Sequence, residues 1–264
     1  MKKGIALVTG GSKGIGQVLC LRLAQAGYQV FSASRSNKQY SDTVGISQLS
    51  VDLSDGSATQ YFAREFIEQY GTPDILVNNA GYGAFYEWGE FPEEEINRQI
   101  QVLFSSPVQL CLVFAPSMSK KGRGLILNLS SLATLYPLPY MPLYNGGKSA
   151  LSSFTESMFL EYPNNPKFID FRMGDVRTSF NTSAHRQENL NKSMKSAWAQ
   201  IEKQLNDSIA AENAVAQIMR RIRGGKSGTF YGGTFFHRIV LPFAFRILPK
   251  SWRNLLIRKW YRID

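Results

Sequence analysis

Two cysteines, Cys20 and Cys111, and two histidines, His185 and His237, are the only thiols and imidazoles in this chain of 264 residues. Two cysteines cannot make a disulfide framework or a Cys-rich zinc site. Two histidines argue against a transition-metal centre built by the protein, so no metal is expected. Such cysteine use suits a reducing, cytoplasmic setting. Long hydrophobic runs are also missing: no eighteen consecutive residues are apolar, which speaks against an ordinary membrane span. Met1-Lys2-Lys3 has the charge of a signal-peptide start, but only Ile5-Ala6-Leu7-Val8 follow before a glycine-rich turn. Four residues are too few for a signal core and read better as a buried first strand. Twenty-two glycines fall without a triplet period, which excludes collagen. With 44% hydrophobic and 19% charged residues, the chain has enough apolar mass to fold.

Charge is unevenly placed. The net charge is +10. Arg238, Arg246, Lys250, Arg253, Arg258, Lys259 and Arg262 face only Asp264 after residue 237, so the last 27 residues carry +6 of it. The body is mildly basic and the tail strongly so.

Strand-like and helix-like segments alternate along most of the chain. Strands are expected at 4–9, 28–33, 46–51, 74–78, 124–130, 168–172 and 229–231. Between them, 15–26, 93–118 and 144–161 carry apolar residues at helical spacing. Asp55 is placed to cap a helix with Ala58, Tyr61, Phe62 and Phe66 on one face. Pro107 is expected to kink or break the long helix. This rhythm predicts an α/β fold: a doubly wound, Rossmann-type parallel sheet in three α/β/α layers. One domain over 1–235 is expected, with 179–207 as a polar, helical, mobile flap without a strand. Residues 236–264 follow as a basic, aromatic tail.

Five blocks concentrate the chemistry. Thr9-Gly10-Gly11-Ser12-Lys13-Gly14-Ile15-Gly16 lies between a strand and a helix. Glycines there let a ligand approach the backbone, and a helix N-terminus suits a pyrophosphate. A plain glycine-rich turn is the alternative. Asn78-Asn79-Ala80-Gly81 follows the fourth strand, Ser130-Ser131 ends the fifth, and Tyr144-x-x-x-Lys148 opens the next helix. Met173-Gly174-Asp175-Val176-Arg177-Thr178 comes after the sixth strand. In this order and spacing the blocks resemble the short-chain dehydrogenase/reductase family, classical type, over roughly 4–232. Met173 stands where the family has proline.

The resemblance implies a nicotinamide nucleotide held by Gly10, Ser12, Lys13, Gly14, Ile15 and Gly16. It also implies contacts from Asp52, Leu53, Asn79, Ala80, Gly81, Tyr144, Lys148, Val176 and Thr178. A site for NAD needs a carboxylate at the end of the second strand. That stretch reads Ser32-Ala33-Ser34-Arg35-Ser36 and has none. Ser34 and Arg35, helped by Lys13, instead suit the 2′-phosphate of NADP(H); the alternative for Arg35 is a solvated surface residue. Asp52 resembles the family's adenine contact, with a turn cap as the alternative.

Tyr144 and Lys148 lie one helical turn apart. A free phenol titrates near ~10, and a cation beside it favours its anion. Tyr144 is therefore expected to act as a general acid near neutral pH. The resemblance assigns Lys148 to the nicotinamide ribose and Ser131 to the carbonyl oxygen. One departure stands out: Gln101-Val102-Leu103-Phe104 places leucine where the family often has a water-carrying asparagine. Gly146 and Gly147 also loosen the helix beside Tyr144.

Apolar residues follow two of the blocks: Tyr82, Phe85, Tyr86 and Trp88, then Leu132, Leu135, Tyr136, Leu138, Tyr140 and Met141. They suit an apolar, lipid-like ketone or alcohol, or else pack on one another beneath the flap. In the tail, Trp252, Leu255, Leu256, Trp260 and Ile263 beside basic residues suit peripheral contact with an anionic membrane, on its cytoplasmic face. The alternatives there are a subunit contact and a solvated basic face. No nucleic-acid module is recognisable. The family commonly forms dimers or tetramers, so a homo-oligomer is expected. An NADPH-dependent carbonyl reductase is the leading expectation. A weakly catalytic NADP-binding sensor or scaffold, suggested by Leu103 and the tail, is the rival.

Overall fold

A first strand, β1 (Gly4–Thr9), sets the pattern: Ala6, Leu7 and Val8 are all fully buried. Alternate side chains of a strand face opposite ways, so both faces of the sheet must be covered. The computed structural model of the chain describes residues 3–35, 45–180 and 184–263. Ser36, Asp264 and the sequon Asn181-Thr182-Ser183 within the expected flap lie outside the described residues.

After β1 come α1 (Gly14–Gln25), β2 (Tyr28–Ser34), β3 (Ile46–Ser50), α2 (Gly56–Tyr70) and β4 (Ile75–Asn78). Then follow the short β5 (Ala84–Phe85), α3 (Glu93–Ile100), α4 (Ser106–Lys120), β6 (Leu125–Ser131) and α5 (Pro142–Glu161). The chain continues through β7 (Lys167–Met173), β8 (Val176–Arg177), β9 (His185–Arg186), α6 (Lys192–Asn206), β10 (Ile209–Ala210), α7 (Ala211–Gly224) and β11 (Gly228–Gly232). Two helices, α8 (Leu241–Ile247) and α9 (Lys250–Tyr261), complete it. The main sheet has seven strands in the order β11-β7-β6-β4-β1-β2-β3, and every pairing is parallel. Strand order reverses between β1 and β4, and that switch point opens a crevice at the carboxyl ends of the strands. One face buries Ala6, Val8, Leu19, Val77, Phe171 and Ile218. The other buries Leu7, Phe31, Phe66, Phe114, Ile126 and Phe168.

Several details differ from the sequence expectations. Asp55 does cap α2, its carboxylate accepting from the N–H groups of Ser57 and Ala58. The buried face of α2 is Thr59, Ala63 and Phe66, however, and Tyr61 points to solvent. The break expected at Pro107 is a widened turn just before it, Gln101–Ser105, where the Ser106 N–H reaches back to the Gln101 carbonyl. A proline ring clashes with the carbonyl four residues earlier in a regular helix, and the widening relieves this. The helical run Glu93–Lys120 is long and, on average, apolar enough to cross a membrane, although no eighteen of its residues in a row are apolar. Its α4 nevertheless buries Leu110, Phe114 and Met118 against the sheet. The flap contains a strand, since β9 pairs with β5. Its α6 buries Met194, Ala197, Trp198 and Ile201 in a third core with Phe85 and Met141.

Candidate active site

The glycine loop is forced into its shape. Gly10 and Gly14 have φ of +66° and +57°, values that side-chain-bearing residues avoid. A Cβ on Gly16 would lie 2.3 Å from the Gly10 carbonyl oxygen, so only glycine lets the start of α1 sit this close to the loop. Asn79 braces the loop from β4. Its Nδ2 donates to the carbonyls of Thr9 at 2.8 Å and Gly10 at 3.2 Å. Thr9 Oγ1 accepts in return from the backbone N–H groups of Asn79 and Ala80. The amide nitrogen of Asn79 thus braces the loop from within the protein, while the residue also borders the cavity.

A single cavity of about 510 Å³ runs from this loop to the catalytic residues. Gly10, Ser12, Lys13, Gly14 and Ile15 border it on one side, and Asn79, Ala80 and Gly81 form its floor. Ser34, Arg35, Asp52 and Leu53 close one end; Ser131, Tyr144, Lys148, Val176 and Thr178 border the other. Gly16 alone among the expected nucleotide-binding and catalytic residues does not line it. Thr178 packs over Gly14, whose Cβ position lies 3.6 Å from it.

At the first end, Asp52 Oδ1 accepts from the Ser54 N–H at 2.9 Å and hydroxyl at 2.8 Å, so it does cap a turn. Burial pushes its pKa up, but the Ser54 hydrogen bonds and the charges of Arg35 and Arg98 outweigh this and hold it low. Arg98, on α3, also lines the cavity. Sequence reading missed it because it follows the acidic stretch Glu93-Glu94-Glu95 on a helix with no motif. Lys13, Arg35 and Arg98 together make this end cationic.

At the other end, Tyr144 and Lys148 are buried on α5, while Ser131 closes β6. Ser131 Oγ accepts from the Ala133 N–H at 3.1 Å, and its hydroxyl is near enough to Tyr144 to favour the phenolate. Lys148 Nζ donates to the Leu129 carbonyl at 2.6 Å. Burial pushes the ammonium down to about 8, with the fully buried Asp170 carboxylate holding it up against that. Asp170, fixed by Ser130, Ser152 and Arg172, is a second residue the sequence did not reveal. The expected acidification of Tyr144 is corrected. Burial pushes the phenol up to about 12; the Ser131 hydroxyl pulls against this and Asp175 adds to it. Desolvation of the phenolate outweighs any effect of Lys148, whose ammonium is turned to the Leu129 carbonyl.

Leu103 is fully buried in the widened turn. A Cβ on Gly147 would lie 2.8 Å from Leu103 Cβ, and one on Gly81 would lie 3.0 Å from Leu103 Cδ2. Leucine therefore fills the space beside Lys148, and glycine at 147 makes room for it. A Cβ on Gly146 would meet nothing within 4 Å.

Beyond Tyr144 the wall is mostly apolar: Leu132, Tyr136, Leu138, Met141, Phe180 and, from α6, Ile201 and Leu205. Of the aromatic residues expected here, Tyr82 does line the cavity, stacked on His185 at 4.9 Å between centroids. His185 Nδ1 lies 2.9 Å from the buried Glu95. Phe85 and Tyr140 pack on each other at 5.3 Å, Phe85 also meets Trp198, and Trp88 is exposed. Phe85 and Tyr140 thus pack in the core beneath the flap, and neither they nor Tyr86, Trp88 and Leu135 line the cavity. The α6 contribution carried no motif to announce it.

The cleft suits a nicotinamide dinucleotide on its own geometry: glycines leave room along one flank, α1 presents its N-terminus, and Lys148 and Tyr144 stand at the far end. A family model described as short chain dehydrogenase matches residues 4–189. A 3-ketodihydrosphingosine reductase of Bacteroides thetaiotaomicron is 31% identical over 182 residues, 68% of this chain and 66% of that protein, just under two thirds of its length. A probable short-chain type dehydrogenase/reductase, VdlC, of Helicobacter pylori is 28% identical over 96% of both chains. In the crystal structure of a short-chain dehydrogenase from Streptomyces avermitilis the same fold recurs. Its TM-score is 0.80, with 23% identity over 98% of this chain and 96% of the other. Solved structures of like fold hold NADP in one case and NAD in another.

Proposed function

The chain belongs to the short-chain dehydrogenase/reductase family, and on that premise we propose that it is an NADPH-dependent reductase of an apolar, lipid-like ketone. The observation that carries this reading is the union, in one cleft, of the glycine cradle with a buried Ser131–Tyr144–Lys148 group.

The glycine loop and Thr178 would hold the pyrophosphate region, and Lys148 the ribose beside the ring. A nicotinamide bound there supplies the hydride. Ser131 and Tyr144 hydrogen-bond the ketone oxygen, and their fixed dipoles favour the charge that grows on it. Tyr144, with its pKa raised to about 12, is fully protonated at neutral pH and gives its proton to that oxygen. Lys148, still largely cationic at pH 7, would stabilise the phenolate left behind by turning its ammonium from the Leu129 carbonyl toward it. Preference for NADPH over NADH rests on Arg35 just past β2, Arg98 on α3 and Lys13 in the glycine loop, since a guanidinium can grip a 2′-phosphate. The apolar wall supports a lipid-like ketone, as does a relative named for reducing 3-ketodihydrosphingosine.

Purified protein should reduce at least one long-chain ketone with NADPH. Tyr144→Phe should lower kcat by roughly 10²–10⁴-fold, while the NADPH dissociation constant stays within about twofold, since removing one hydroxyl at the far end leaves the cradle intact. Retained turnover in that variant would remove Tyr144 from the mechanism. A ketone panel that is uniformly inert despite tight NADPH binding would favour the sensor or scaffold reading instead.

A further inference from the structure

Beyond β11 the molecule turns part of its apolar surface outward. The helical stretch from Phe235 through α8 buries Phe245 but exposes Phe236, Ile239, Val240, Phe243 and Ile247. Together with Phe235 they turn a nearly continuous apolar surface outward. In α9 the same inversion recurs. Tyr261 is buried and Arg253 and Ile257 are half-buried, whereas Trp252, Leu255, Leu256 and Trp260 are between 47% and 62% exposed. Monomeric proteins rarely leave such runs uncovered without a use for them.

Cations flank these faces. Arg246, Lys250, Arg258, Lys259 and Arg262 are exposed, and no aspartate or glutamate occurs between residues 213 and 263. Arg253 faces inward, bonding the Leu248 carbonyl and lying over the Phe245 ring. The inner side of the same two helices meets the substrate end of the cleft. Phe245 packs on Tyr136 at 5.4 Å, and the Tyr261 hydroxyl donates to Gln204 at 3.3 Å. Both Tyr136 and Gln204 line the cavity.

We infer that α8 and α9 form a docking surface for an anionic lipid bilayer. Tryptophan, leucine and phenylalanine on a face bordered by lysine and arginine are the residues that settle at a charged lipid interface. A second copy of this chain meeting the surface with the same face would bring its cations together without an acidic partner between 213 and 263, which like charges oppose. Docking would set the apolar end of the cleft at the bilayer, where a ketone with a long alkyl chain resides.

The test uses the full chain with vesicles of phosphatidylcholine, alone or mixed with phosphatidylglycerol. Co-sedimentation and the blue shift of tryptophan emission report binding. The chain should bind the mixed vesicles and not the neutral ones, with affinity falling as salt rises. Leu255→Gln/Trp260→Gln replaces exposed side chains, so circular dichroism should show an intact fold, and vesicle affinity should fall about tenfold or more. Arg258→Gln/Lys259→Gln should weaken binding to mixed vesicles by about tenfold or more. Failure of the full chain to bind either vesicle overturns the inference. So does binding that both variants retain. A dimer that Leu255→Gln/Trp260→Gln converts to monomer, with no vesicle binding by the parent chain, would reassign the face to self-association. NADPH binding measured on the same samples keeps these outcomes separate from the reductase reading.

Discussion

The two ends of the cleft are built by different means. At the nucleotide end the constraints are on the backbone: positive φ at Gly10 and Gly14, no room for a Cβ at Gly16, and a loop tied down by Asn79 and Thr9. At the substrate end the constraints are on side-chain packing, contributed by α5, α6 and the two C-terminal helices from widely separated parts of the chain. A backbone constraint admits one residue type and leaves a motif. A packing constraint admits any apolar residue of suitable volume and leaves none. Binding and specificity thus lie in one cleft under two unlike rules.

The sharpest separation of the ends is expected from the cations. Arg35→Ala/Arg98→Ala should raise the NADPH dissociation constant about 100-fold, the loss of two charge-assisted contacts at ~1.5 kcal/mol each. NADH affinity and the ketone KM should barely move, because neither meets a 2′-phosphate at this end. Titration with both nucleotides checks this. Equal losses for NADPH and NADH would mean that these arginines hold Asp52 and α3 in place and do not read the nucleotide.

At the junction of the ends the expected effect is smaller and depends on pH. Between pH 6 and 8 Tyr144, with a pKa near 12, and Lys148, near 8, are both mainly protonated. As pH rises above 8 the ammonium is lost and the phenolate formed in the reaction loses its stabilising charge. The kcat/KM for ketone reduction should be flat below pH 8 and fall above it, by up to about tenfold per unit. Asp170 raises the pKa of Lys148, so Asp170→Asn should move the break to lower pH. A profile flat to pH 10 would show that the charge on Lys148 is not needed.

The same contrast explains how much was legible beforehand. The alternation of apolar strands with helices fixes a parallel sheet, and the glycine, Asn-Asn-Ala-Gly and Tyr-x-x-x-Lys blocks mark its carboxyl end. Arg98 was hidden because a helix-face arginine has no signature until the fold brings it, like Arg35, near Asp52. Asp170 was hidden inside a strand, where a buried carboxylate is visible only through its donors Ser130, Ser152 and Arg172. The raised phenol of Tyr144 escaped for another reason: helical spacing shows that Lys148 is near, but not that its ammonium turns to the Leu129 carbonyl.

Leu103 lies beneath the junction beside Lys148, and its replacement should have the smallest effect on turnover. The residue fills the space between Gly81 and Gly147 and is fully buried. Lys148 already donates to a backbone carbonyl, so its position does not rest on a polar group at 103. Leu103→Asn would place an amide in a space shaped for a branched alkyl chain. An unpartnered buried amide costs about 1–3 kcal/mol, and the melting temperature should fall by several degrees. Turnover at a temperature where the variant is folded should change by no more than about threefold, since Tyr144 and Ser131 keep their places. Calorimetry and steady-state kinetics on one preparation separate the two effects. A large gain in kcat would instead show that leucine here limits the movement of protons to Lys148, and that the apolar packing beneath the junction restrains catalysis as well as supporting it.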